Sequence, residues 1–475
     1  MSTTASASSI ETIDPSTGAV IARYEAHTKE RIAQALDEAR ATARTWRATA
    51  MAERARLLRA AGAGLRGRKA DLAALATREM GKPIAEAEAE IEKCATACDW
   101  FAENAEALLA DRQTPSSATR SYVAFRPIGV LLAIMPWNFP YWQVFRAAAP
   151  ALMAGNVVVL KHAANVTGSA LAIEELFRAA GFPRGAFQTI LADARDMEWI
   201  VLDERVAAVT LTGSEGAGSA VGAAAGKAIK KTVLELGGSD YFIVLADADL
   251  DEAVEVGIKA RFQNNGQSCI AAKRFIIEAP VYDEYVHRFA EKTKALKVGN
   301  PAEREVKIGP LARKDLRDAL LEQVRDTVKA GGRLVCGGEA LPGDGAFLQP
   351  AVVADVTTGM RMADEETFGP AAAMMRAEDA DDAVRLANAS RFGLGGNIWT
   401  RDIARAEKLA AQLDSGSCFI NGMTASDPRL PFGGTKKSGI GRELSAFGIH
   451  EFVNIQTVWI GPDTGRGPNA GVPAE

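Results

Sequence analysis

The sequence predicts an α/β protein in which a doubly wound parallel sheet is followed by a second α/β unit, and three features carry that prediction. Short β-branched runs alternate with helix-length segments between about residues 128 and 236, the spacing of βα units in a parallel sheet. The alternation stops at the pair Gly237-Gly238 and restarts beyond it. Ahead of the first strand, the chain from Lys29 to about Leu109 is Ala-rich, charged and helical in period.

Taken in order, the N-terminal stretch reads as three long helices, with Pro83 near the start of the third, forming a packing layer. The strands that follow are IGVLLAIM (128–135), NVVVLK (156–161), FQTILA (187–192), VAAVTLTG (206–213) and KTVLEL (231–236). A doubly wound sheet of the dinucleotide-binding kind follows from that series. The second unit comprises the strand YFIVLADA, the helix DLDEAVEVGIKARF, the strand KRFIIEA and a helix from Asp283 to about Lys297. The Gly- and Pro-rich stretches FGLGGNIW and PFGGTKKSGIGRE read as loops. HEFVNIQTVWI alternates like a strand, and GPDTGRGPNAGVPAE reads as a disordered tail.

Composition narrows the function. The 475 residues, 48% hydrophobic, can enclose a large core, and 55 basic against 60 acidic residues leave a net charge of −5 with no basic block. Nucleic acid is not an expected partner. The polar N-terminus lacks the pattern of a signal peptide, and no apolar run reaches membrane-spanning length, so a cytoplasmic protein without a membrane partner is expected. Five cysteines, an odd number, argue against a secreted disulfide framework. Cys94 and Cys98, four apart in a helical stretch, read as a packing face, and no metal is expected.

The chemistry concentrates in FQNNGQSC, which ends on Cys269. A lone cysteine is ordinarily a small buried hydrophobe. Here, however, Gly266 and the surrounding amides and serine make a polar turn after a helix, the setting of an accessible nucleophile. In MPWNFP, Pro136 and Pro140 flank Asn138, either an amide turn among aromatics or a rigid donor to the oxyanion that thiolate addition to a carbonyl creates. In VLELGG, Glu235 ends an apolar strand, where desolvation raises a carboxyl towards the range of a general base. Finally, TLTGSEGAGSAVG joins a strand to a small-residue helix through Gly213, Gly216, Gly218 and Gly222. Such a turn serves either a pyrophosphate or close helix packing.

Together and in this order, PWNFP, GSEGAG, LELGG, NNGQSC, EETFGP and PFGGTKKSGIGRE resemble the signature motifs of the aldehyde dehydrogenase superfamily, over about Ile13 to Trp459. The resemblance implies that Cys269 attacks the aldehyde, that Asn138 and the Cys269 N–H hold the oxyanion, and that Glu235 activates water. It implies a bound NAD or NADP, with Pro136 and Trp137 near the ribose-phosphate end, Lys161 and His162 at the adenosine ribose, Gly213 and Ser214 at the pyrophosphate, and Leu236, Glu366 and Phe368 around the nicotinamide end. The implied organisation is a dinucleotide-binding domain (1–112 and 128–238), a catalytic domain (239–440), a small β oligomerisation extension (113–127 and 441–462) and the tail 463–475. Homodimers or homotetramers are expected through that extension.

Within the family, LKHAAN, LELGGSD, FINGMTASD and SAFGIHEFVNIQTVW are most similar to enzymes that oxidise succinate semialdehyde. The alternatives are glutarate semialdehyde, lactaldehyde or aliphatic aldehydes. Arg146 coincides with an arginine that grips the distal carboxylate in those enzymes, and Ser426 is a second candidate for that carboxylate. Four positions depart from the pattern. Ala164 stands where many NAD-preferring relatives carry an acid, which leaves NAD and NADP both open. Gln263 stands where some relatives have a second arginine. Ile270 and Ala271 follow Cys269 where some have a resolving cysteine, so no local disulfide switch is expected.

Overall fold

The computed structural model describes residues 9–461; the expected tail, 463–475, lies outside them. The N-terminal layer contains four helices rather than three: Lys29–Trp46, Met51–Gly67, Lys69–Met80 and Ile84–Leu108. Arg68, at φ −110° and ψ 15°, interrupts what periodicity alone reads as one helix. Pro83 stands immediately before the fourth, where its missing N–H costs no helical hydrogen bond. Leu36, Leu58, Leu65, Ile91 and Phe101 point inward from this layer and are fully buried.

The first sheet runs in the order Gly439–Ile440, Lys231–Glu235, Val206–Thr212, Val130–Met135, Val157–His162, Phe187–Thr189. All neighbours are parallel except the first pair. FQTILA thus pairs over only three residues, at a sheet edge. The chain builds outward from Val130–Met135 to one side and then returns to the other. The carboxyl ends of the central strands therefore flank a crevice, the position where doubly wound sheets hold ligands.

The second sheet has seven strands, ordered Arg333–Cys336, Ala351–Ala354, Ala371–Ala377, Ala272–Glu278, Asp240–Val244, Gly396–Trp399, Phe419–Ile420, with only the first pair antiparallel. FGLGGNIW, expected as a loop, thus contains an inner strand. Glycine misled the reading because Gly396 lies against the Tyr241 ring, where a Cβ would come within 2.3 Å of it. PFGGTKKSGIGRE likewise carries two short strands, Thr435–Lys436 and Gly439–Ile440. Gly439 (φ 123°) approaches the Leu234 carbonyl so closely that no side chain fits.

Arg112–Gln113, Arg120–Pro127 and Val453–Ile460 form a separate antiparallel sheet, with Val453–Ile460 at one edge. The first part of HEFVNIQTVWI is instead the end of a helix, Ser445–Glu451. Residues 32–236 supply most of one apolar core, and two further clusters are built between Tyr241 and Leu409 on the faces of the second sheet.

Candidate active site

The helix Leu250–Phe262 runs into three consecutive left-handed residues, Asn264, Asn265 and Gly266 (φ 55°, 57° and 71°). Asparagine tolerates this region better than other side-chain-bearing residues. Both amides also fasten the loop. Asn265 Nδ2 donates to the Gly81 and Pro310 carbonyls (2.8 and 2.9 Å), and Asn264 Nδ2 donates to the carbonyls of Asn138 and Gln267 (2.8 and 2.9 Å). The Asn264 N–H donates to Glu86, and buried Arg261 donates to the carbonyls of Gly266 and Gly369 (2.6 and 2.7 Å). Cys269 follows on a backbone that is fixed from several sides.

Behind Cys269, Lys273 Nζ donates to the carbonyls of Ser268 and Cys269 (2.8 and 2.7 Å) and lies 3.4 Å from Glu366 Oε1. Glu366 in turn accepts from the Gly238 N–H at 3.0 Å. The glycine pair makes this approach feasible: a Cβ on Gly237 would lie 2.4 Å from Glu366 Oε2, and one on Gly238 2.6 Å from the Cys269 carbonyl. Burial pushes the Cys269 thiol up to about 12. Arg146 and Lys273 oppose that rise, while Glu235 and Glu366 add to it. At neutral pH the group is a thiol, which must lose its proton before or as it forms a bond through sulfur.

Asn138 is buried at the end of strand Val130–Met135, with Nδ2 donating to the Gln267 carbonyl at 3.2 Å. A side-chain amide has two N–H groups, so this leaves one beside the Cys269 loop. Glu235 is 2% exposed and neither carboxyl oxygen has a protein hydrogen-bond partner. Its carboxyl faces Gly433, where a Cβ would sit 2.7 Å from Oε1. Burial holds its pKa well above the carboxylate range; Arg146 and Arg442 counteract this and Glu443 reinforces it.

Arg146, from helix Trp142–Met153, is 1% exposed, ion-paired through Nε with buried Glu443, and stacked over the Phe432 ring at 4.5 Å. It also donates to Thr212 Oγ1 at 3.3 Å. Arg146 is therefore a buried residue and not one on the helix surface. Glu90 caps the start of the same helix by accepting from the Tyr141 and Trp142 N–H groups, both at 2.9 Å.

Along the carboxyl edge of the first sheet, Pro136 and Trp137 follow one strand, Lys161 is the penultimate residue of the next, Gly213 and Ser214 follow a third and Leu236 a fourth. Ser214 caps the 13-residue helix Glu215–Lys227, accepting from the Ala217 N–H. Gly213 donates to the Glu235 carbonyl at 2.9 Å, and Leu236 to that of Ser438 at 3.0 Å. Trp137 meets Phe368 edge to face at 5.7 Å. Among the described residues no carboxylate lies within ion-pair range of Lys161.

The expectation for His162 is corrected: its ring is buried, with Nδ1 accepting from the Ala163 N–H (2.9 Å) and Nε2 donating to the Pro140 carbonyl (2.8 Å). Burial lowers its pKa to about 4, so it is neutral and offers no nitrogen to a phosphate.

A cavity of about 640 Å³ opens on Cys269 and is lined by Phe139, Trp142, Arg146, Lys93 and Ser426, among others. Sequence reasoning missed Lys93, Lys273, Arg261, Glu86 and Glu443. Arg261, two residues before Gln263, and Lys273, four after Cys269, were adjacent to the nucleophile motif. Glu443 closes the motif PFGGTKKSGIGRE, while Lys93 and Glu86 carried no local signal.

Parallel sheets meeting at a cysteine loop, with an asparagine donor and a buried glutamate, define an enzyme site for carbonyl chemistry. The sequence matches the model of the aldehyde dehydrogenase family over residues 2–458, and the chain belongs to that family. It is 50% identical over 451 residues (95% of this chain, 99% of the relative) to a probable succinate-semialdehyde dehydrogenase [NADP(+)] of Synechocystis. It is 50% identical over 456 residues (95% and 97%) to a succinate-semialdehyde dehydrogenase [NADP(+)] of Mycobacterium avium. Among solved structures, succinic semialdehyde dehydrogenase of Streptococcus pyogenes in complex with NADP+ superposes with a TM-score of 0.93 at 36% identity, covering 95% of this chain and all of that one. No helix among the described residues is long and apolar enough to cross a membrane.

Proposed function

We propose that this chain oxidises succinate semialdehyde to succinate with NADP+ as the preferred cofactor and NAD+ as the weaker one. The observation that carries the reading is the single cavity joining Cys269 to Arg146 and Ser426, which suits an aldehyde with a distal carboxylate. Its relatives' names support it. So does the lack of an acid at Ala164, which is exposed near Lys161: a carboxylate there would repel a 2′-phosphate.

In this reading Cys269 Sγ gives its proton to solvent water and bonds to the aldehyde carbon, and the carbonyl π electrons move to oxygen, where the free Asn138 N–H and the Cys269 N–H stabilise the charge. The bound nicotinamide supplies the hydride acceptor. Glu235 takes a proton from the water that attacks the resulting thioester, and the C–S bond breaks to release the acid. Glu366, anchored by Gly238 and Lys273, would frame the nicotinamide side with Phe368, whose ring meets Trp137 at the ribose-phosphate end; Lys161 would serve the adenosine ribose, and Gly213 and Ser214 the pyrophosphate.

The same reading includes the division into a dinucleotide-binding domain (1–112 and 128–238), a catalytic domain (239–440) and an oligomerisation extension, supported by the separate cores. Exposed Ile455, Trp459 and Ile460 on the Val453–Ile460 strand support a homodimer or homotetramer, in the cytoplasm. The test is steady-state kinetics with both cofactors on succinate semialdehyde, glutarate semialdehyde, lactaldehyde and butanal. We expect kcat/KM to be at least about tenfold higher for succinate semialdehyde than for butanal. A higher value for butanal or lactaldehyde overturns the substrate, and a better NAD+ than NADP+ value overturns the cofactor preference.

A further inference from the structure

Four cations line the cavity that holds Cys269; Lys259 and Lys307 are exposed, whereas Arg146 is buried and Lys93 half-buried, and these two differ in how their charge is balanced. Arg146 is already paired with the buried carboxylate of Glu443. Lys93, on helix Ile84–Leu108, has no Asp or Glu within ion-pair range among the described residues. Its ammonium sits 4.3 Å over the face of Trp142 and donates to Ser426 Oγ at 2.7 Å.

Ser426 Oγ also accepts from Trp142 Nε1 at 3.1 Å. A hydroxyl has two acceptor lone pairs and one proton, and both lone pairs are taken by Lys93 and Trp142. The Ser426 proton is therefore left as a donor to a third partner. An ammonium and an O–H donor on one cavity wall form a seat for an anion.

We propose that Lys93, with the hydroxyl of Ser426 that it orients, binds the distal carboxylate of the substrate and supplies the net positive charge that Arg146, neutralised by Glu443, does not. This rests on the substrate class proposed above and deepens it. It also accounts for Gln263 standing where some relatives carry a second arginine: the cation enters from a different helix. Burial lowers the Lys93 pKa to about 8, with Arg146 adding to the effect and Glu90 and Asp427 opposing it, and an arriving carboxylate favours the charged form.

The test compares Lys93→Met, Lys93→Arg and Ser426→Ala with the parent enzyme on succinate semialdehyde and on butanal, together with inhibition by succinate. Loss of a charge-assisted hydrogen bond to a substrate carboxylate corresponds to roughly 10- to 100-fold in binding. In Lys93→Met we expect kcat/KM for succinate semialdehyde to fall at least about tenfold further than that for butanal, carried by KM, with a similar rise in the succinate inhibition constant. Ser426→Ala should show the same selectivity change to a smaller degree, and Lys93→Arg should recover most of it. Equal losses on both substrates, or unchanged selectivity in Lys93→Met, overturns the role of Lys93. A parent enzyme with no preference for succinate semialdehyde over butanal overturns the substrate class instead.

Discussion

Arg146 and Glu443 allow a quantitative test of how the site's buried charge is balanced. The guanidinium is 1% exposed, Glu443 3% and neighbouring Glu235 2%, so one cation stands among two desolvated carboxyls. Replacing Arg146 by Met leaves Glu443 without its countercharge. Breaking a buried pair from one side costs about 3–5 kcal/mol, whereas replacing both partners by apolar groups of similar volume is often neutral. Arg146→Met should therefore lower stability by about that amount, and Arg146→Met with Glu443→Met should recover most of it, so that the double variant loses far less than the sum of the two single losses.

The effect has a defined pH sign. Removing Arg146 takes away the charge that holds the already raised Glu443 pKa down. The folded pKa then lies further above the unfolded one. Stability is retained below the unfolded carboxyl pKa and falls as pH rises towards the folded value, by about 1.4 kcal/mol per unit within that window. The deficit of Arg146→Met relative to the parent should thus grow from pH 5 to pH 7. Urea midpoints and inactivation half-lives at several pH values measure it, the half-lives covering irreversible unfolding. Additive losses in the double variant, or a deficit that shrinks with rising pH, would refute the reasoning.

Three other outcomes are expected. With the Cys269 thiol near 12, iodoacetamide labelling of the cofactor-free enzyme should accelerate about tenfold per pH unit from pH 6 to 9. A plateau below pH 8 would show that Lys273 and Arg146 outweigh burial. Asn138→Ala should reduce kcat by about 10²–10³, as expected for loss of one oxyanion donor, with little change in cofactor affinity; an effect below about fivefold removes the residue from that role. Glu235→Gln should give a burst of reduced cofactor followed by slow turnover, since the thioester would form but not be hydrolysed. In the parent enzyme, kcat limited by this step should rise with pH through a value above the ordinary carboxyl range. Absence of the burst would assign Glu235 to an earlier step.

Much of the site was legible because its parts are local. Asn138 stands between prolines at a strand end, Glu235 precedes a glycine pair, and Cys269 follows Asn-Asn-Gly, so backbone restriction and turn chemistry mark each within a few residues. The alternating strands and helices define the sheets for the same reason. Where glycine serves packing instead of a turn, as Gly396 does against Tyr241, local reading mistakes a strand for a loop.

What the sequence by itself determined is the α/β class and the local settings of Asn138, Glu235 and Cys269, because each of these depends on residue type and neighbours in the chain. Only the tertiary structure decided the electrostatics. Lys93 meets Ser426 from 333 positions away, and Glu443 neutralises Arg146 from a different segment of the chain. His162, beside Lys161 in sequence, turns inward and loses its charge. Charge state depends on burial and on partners brought together by packing, and neither is encoded by spacing along the chain.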